Sequence, residues 1–141
     1  MNDWIPGIGG CGGAFFYASP GELKVEVEKR DRHLRRHHTE LRAILFGPDR
    51  RVVEEATIPD DGQPEGSGVG PAQSVTLTAQ VDRPGVYGMM VMVSNDRYGD
   101  DIIWRFRTTC EKFLVETSGG HRDARHLEPI RLLDVERAGD V

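Results

Sequence analysis

From Glu22 to Glu28 the residues run Glu, Leu, Lys, Val, Glu, Val, Glu, an alternation without a break. A period of two puts Leu23, Val25 and Val27 on one face of an extended strand and the charges on the other. A helix, with its period of 3.6, would scatter the same residues around its circumference. The strand must bury its apolar face against another layer, so this stretch commits the chain to layered β structure. Further strands are expected at Ala14–Ala18, Thr39–Phe46, Arg51–Ile58, Ser74–Val81, Gly85–Ser94, Ile102–Thr108, Lys112–Thr117 and Ile130–Val135, about nine in all.

Turn residues separate them: Ser19-Pro20-Gly21, Gly47-Pro48-Asp49, Pro59 to Gly62, Arg83-Pro84-Gly85 and Asn95 to Asp101. Short strands at near-regular spacing predict an all-β fold, an antiparallel β-sandwich of the jelly-roll kind. The basic stretch Arg30 to His38 reads as an exposed loop or short turn. Gln63 to Ala72, rich in Gly and Pro, reads as a mobile excursion. The run Val86 to Val93, with Met89, Met90 and Met92, predicts a central strand covered on both faces, its methionines filling gaps in the core.

At 141 residues the chain suits one domain, set here at 1–135, with 136–141 as a polar tail or linker. A composition 38% hydrophobic and 29% charged is that of a folded domain. The longest apolar runs fall far short of the roughly 18 to 20 residues a bilayer crossing needs, so no membrane partner is expected. With 18 basic residues against 23 acidic and a net charge of -5, affinity for nucleic acid through phosphate neutralisation is not expected either. Both ends look cut, which suggests a piece of a longer, secreted bacterial precursor.

The segment Glu40-Leu41-Arg42-Ala43-Ile44-Leu45-Phe46-Gly47-Pro48-Asp49-Arg50, with the later Arg83-Pro84-Gly85-Val86-Tyr87-Gly88-Met89-Met90-Val91, resembles bacterial pre-peptidase C-terminal domains and the jelly-roll carbohydrate-binding modules built like them. Those families pair a strand ending in a Gly/Pro/Asp turn with a later Pro-Gly-x-Tyr strand. The resemblance spans about residues 22 to 117 and implies a noncatalytic accessory role; a structural calcium is common in such modules.

Sugars offer apolar ring faces and hydroxyls together, so aromatic rings beside polar side chains are the expected receptor. Asn95, Asp96, Arg97 and Tyr98, followed by Trp104, supply that mixture and are the first candidate ligand site. Trp104 also alternates with Ile102 and Phe106, which would turn it inward. Arg122, with Arg125, and His126 form a second polar group that suits a carboxylate or sulfate on an acidic glycan. Asp60 with Asp61, and Asp100 with Asp101, are candidate calcium ligands, with solvated turns as the competing reading. His37, His38, His121 and His126 lack a metal-binding spacing of established meaning. Cys11 and Cys110 are the two cysteines and allow one disulfide.

No nucleophile elbow, phosphate loop or zinc-binding helix is present in the sequence, so no enzyme is expected. The function expected is binding of a carbohydrate polymer, holding a covalently linked catalytic domain near its substrate. The rival readings are a spacer or protein-interaction domain, and a small hydrolase with loop-borne His and Asp.

Overall fold

A computed structural model describes residues 1–7, 12–35, 39–93 and 101–117. Among them run nine strands, numbered in chain order, and no helix. The strand expected at Ile130–Val135 lies outside the described residues. Two antiparallel sheets face each other. One holds four strands in the order β1 (Ile5–Pro6), β8 (Ile102–Thr108), β3 (Gly21–Asp31) and β6 (Gln73–Val81). The other holds five, β5 (Val52–Ile58), β4 (Leu41–Phe46), β7 (Gly85–Val93), β2 (Gly12–Ala18) and β9 (Phe113–Thr117). The protein is an antiparallel β-sandwich.

Side chains from the two inner faces make the core. Leu23, Val25 and Val27 of β3 point inward as the alternation requires, and they meet Leu41, Leu45, Leu77 and Val91 from other strands. An aromatic cluster fills the middle: Phe16 meets Phe106 edge to face at 6.2 Å, Phe106 meets Phe113 at 6.0 Å, and Trp104 stacks on Phe106 at 6.5 Å. Such rings prefer offset and edge-on contacts, because each carries a negative face and a positive rim.

The clearest strand of the sequence is longer than its apolar run. β3 continues through Lys29, Arg30 and Asp31, so the stretch expected as a loop begins as sheet. Its inward row therefore ends in charges. Lys29 and Asp31 follow Val27 on the buried face and are 0% exposed. The two-residue strand β1 has no counterpart in the sequence pattern. It exists by pairing, Ile5 with Phe106 and Pro6 with Arg105, and Gly7 N–H donates to the Trp104 carbonyl at 2.8 Å.

The loops gather at the two ends of the sandwich. Residues 32–35, 39–40 and 59–72 lie at one end, beyond β3, before β4 and beyond β5, and the turns between β2 and β3, β4 and β5, and β6 and β7 close the other. The thiol of Cys110 sits at the second end. It is buried and free, and its Sγ donates to the Tyr17 and Lys112 carbonyls at 3.2 and 3.1 Å. Burial pushes this thiol up. Cys110 makes no disulfide among the described residues. Cys11 itself lies outside the described residues.

Candidate functional site

Of the residues that the sequence singles out, the described ones are Asp60, Asp61, Asp101, Trp104 and Cys110. Asn95, Asp96, Arg97, Tyr98 and Asp100 lie outside the described residues, as do Arg122 and His126 and the histidines 37, 38 and 121. Trp104 is described, and it corrects the expectation of a sugar platform: it is 1% exposed, at the centre of β8, with Phe106 against its ring. The alternation of Ile102, Trp104 and Phe106 with Ile103, Arg105 and Arg107 sends the large rings into the core and the guanidinium groups to solvent. No face of the indole is left for a ligand.

The acidic pair Asp60 and Asp61 also departs from expectation, because the two carboxylates serve different partners. Asp60 accepts from the Thr39 hydroxyl at 2.9 Å and from Gly62 N–H at 2.9 Å, fastening the 59–72 segment to the start of β4. Asp61 accepts from His33 Nε2, at 2.8 Å to Oδ1 and 2.7 Å to Oδ2. Each carboxylate thus has protein partners of its own. Asp101 is buried and pairs with the Arg35 guanidinium.

His33 is the centre of this end of the molecule. Its backbone has φ of 58°, a left-handed conformation uncommon for a residue with a side chain, and it is buried. Nδ1 bonds the Gly68 carbonyl, and its own carbonyl accepts from Gly66 N–H at 2.9 Å. The Gly68 carbonyl and the Asp61 carboxylate raise the histidine above its ordinary value, and burial opposes them. Asp31 completes the group: it accepts from Lys29 Nζ at 2.7 Å and from Asp61 N–H at 3.1 Å. Lys29 also donates to the Thr39 carbonyl at 3.0 Å.

Asp31, His33 and Asp61 bring ligand atoms within 4.8 Å of one another. Close approach alone does not make a metal centre. The buried Lys29 ammonium already occupies Asp31, and its charge opposes a second cation nearby. The backbone of Gly70 closes the remaining side, for a Cβ there would overlap the Asp61 carboxylate and stand 2.9 Å from His33 Cε1.

These contacts overturn the reading of 63–72 as a mobile excursion. Glycines at positive φ, Gly62, Gly66 and Gly68, turn the backbone around the His33 ring, and Gly70 N–H donates to the Asp31 carbonyl at 2.8 Å. The segment lacks large side chains because its own backbone does the packing.

The open surfaces lie elsewhere, on the outer faces of the sheets, and the two differ in character. The four-stranded sheet presents a charged ladder in which Arg105 pairs with Glu28 at 2.9 Å and Arg107 with Glu26 at 2.6 Å. The Trp4 ring covers both guanidinium groups, at 4.2 and 4.5 Å. The five-stranded sheet presents apolar side chains. Met90 is 48% exposed and Phe15 37%, which corrects the expectation that β7 is covered on both faces. Its inner row, Tyr87, Met89 and Val91, is core, while Met90 and its neighbours face outward with no second layer among the described residues.

A row across this outer face has a distinct shape. Phe46 of β4, Gly88 of β7 and Phe15 of β2 are register partners. Gly88 is required by close approach, since a Cβ there would overlap the Phe46 ring. The Phe46 ring therefore lies across Gly88, with Phe15 on the strand beyond, the two outer strands about 9.5 Å apart by sheet spacing. Phe15, Phe46, Pro48, Arg50 and Val86 line a groove of about 460 Å³ here, and the Arg42–Glu55 ion pair, at 2.7 Å, lies farther along the same face. The sequence hint was Phe15 and Phe46 at outward positions of their alternating strands; which outward positions become neighbours depends on strand order.

The sequence matches no protein-family profile and no curated protein. Among solved structures, the chain is similar to a family 35 carbohydrate binding module from an environmental isolate, at 12% identity and a TM-score of 0.42, over 79% of this chain and 73% of that one. It is also similar to the C-terminal domain of EclA, a sugar-binding protein, at 7% identity and a TM-score of 0.48, over 77% and 79% of the two chains.

Proposed function

We propose that this domain binds a carbohydrate polymer on the outer face of its five-stranded sheet. The observation that carries the reading is the row Phe46, Gly88, Phe15, with Arg50 at its margin. A row of aromatic side chains on an outer sheet face suits the apolar faces of pyranose rings, and guanidinium and carboxylate groups nearby suit their hydroxyls. The groove is shallow and open, which fits a chain passing across it better than a small molecule enclosed by it.

In this reading the domain does no chemistry. It is an accessory module of a longer, secreted protein, and by holding a linked enzyme at the polymer surface it raises that enzyme's effective concentration there. The same apolar face also suits a protein partner, and the test separates the two. Affinity electrophoresis through gels containing neutral and acidic polysaccharides is expected to retard the protein. Phe15→Ala and Phe46→Ala are each expected to weaken binding about tenfold, equal to about 1.4 kcal/mol. Loss with Tyr98→Ala and not with the phenylalanine variants would move the site to the 95–98 loop. Free migration in every gel would favour the spacer or interaction domain.

A further inference from the structure

We propose that His33 is held as an imidazolium and that its Nε2 proton is the catch fastening the 59–72 segment to the end of β3, so that the segment opens as pH rises. The argument begins with the two ring nitrogens. Nδ1 faces the Gly68 carbonyl, which can only accept, so Nδ1 carries a proton. Nε2 faces both oxygens of the Asp61 carboxylate at 2.7 and 2.8 Å, and an unprotonated nitrogen would set lone pair against lone pair. Asp61 Oδ1 also accepts from Gln63 N–H at 2.9 Å, so this oxygen is already an acceptor. The proton between them therefore belongs to the ring.

The surroundings make that proton a fastening and not an isolated bond. Asp31 and Lys29 from β3 form one ion pair beside it, and Asp61 with His33 forms the other. Among the described residues, Asp60, Arg35 and Asp101 are the other charged groups lining the recess that His33 lines. Asp60 is bonded to Thr39 and Gly62, and Arg35 is paired with Asp101. Removing that proton leaves Asp61 a buried anion without its cation and leaves the ring one donor for two acceptors. Either the Gly68 bond or the Asp61 bond is lost. Both residues belong to the 59–72 segment, so either loss loosens it from β3.

The sign follows from linkage. The closed form binds the proton more tightly than an opened, solvated histidine with its ordinary value near 6.5. Closure is fully favoured below that value, weakens as pH climbs to the raised one, and loses nothing further above it.

Imidazole 15N spectra and amide hydrogen exchange test this on the intact chain. At pH 6.5 more than half of the His33 rings are expected to carry protons on both nitrogens, with a midpoint above 6.5. Gly66 and Gly70 N–H, which bond the His33 and Asp31 carbonyls, report the opening. Between pH 6.5 and the His33 midpoint their exchange is expected to gain up to about tenfold per pH unit over that of the His33→Asn variant, since asparagine tolerates the left-handed backbone and does not titrate. A His33 midpoint at or below 6.5 would overturn the proposal, as would equal exchange profiles in the two proteins. So would stoichiometric Zn²⁺ uptake that displaces the Nε2 proton. The spectra of the unaltered protein decide the matter even if the variant folds poorly.

Discussion

Lys29 and Asp31 are the residues at which the pattern of β3 and the physics of burial pull apart. Two steps of the same alternation that places Val25 and Val27 in the core carry an ammonium and a carboxylate inward. Desolvating an ion is costly, and here the cost is offset only because each charge finds the other at 2.7 Å and each has a further hydrogen-bond partner, the Thr39 carbonyl and Asp61 N–H. Removing one member is therefore worse than removing both. Asp31→Ala is expected to lower stability by about 3 to 5 kcal/mol in urea unfolding, because Lys29 is left charged and dry. Adding Lys29→Met should restore part of the loss. A cost below about 1 kcal/mol for Asp31→Ala would mean that water reaches the ammonium.

Among the elements, β7 shows how a strand's composition can mislead about its surroundings. Its nearly unbroken apolar run suggests a strand with a layer on each side, and its place between β4 and β2 is indeed interior to the sheet. Interior to a sheet is not the same as covered. One face of β7 meets the four-stranded sheet, and the other is the floor of the outer groove. Two adjacent methionines report the difference. Met89→Ala is expected to cost about 2 to 5 kcal/mol, from lost burial and the cavity left behind. Met90→Ala is expected to stay within about 0.5 kcal/mol of the unaltered protein. Chemical denaturation of the two variants distinguishes a strand with one working face from one with two.

At the scale of the molecule, the sandwich separates its tasks by face and by end. One outer face is a charged ladder closed by Trp4, and the other is apolar and open. One loop end is cross-tied by the His33 group. Nearly all of this rests on strands distant in sequence, such as β3 with β8, where Val25 pairs with Thr108. Loops must close before such pairs form, and the entropy lost in closing them slows folding. Refolding from urea, followed by tryptophan fluorescence as Trp104 enters the core, is expected to take milliseconds to seconds. Microsecond refolding would show that local structure, not the sheet pairing, sets the rate.

The sequence by itself determined most strands of the described residues and, where apolar and polar residues alternate, the face each side chain takes, because alternation along a strand is a local property that needs no partner to be read. It also carried the inward turn of Trp104, through its alternation with Arg105 and Arg107. It did not determine strand order, and so could not bring Phe46 and Phe15 to either side of Gly88. Nor could it tell that Asp61 meets His33 and not a metal shared with Asp60, or that Lys29 finds Asp31 instead of solvent. Those outcomes depend on which distant segments fold against one another, and a buried charge or a bare glycine makes sense only beside the neighbour that tertiary structure supplies.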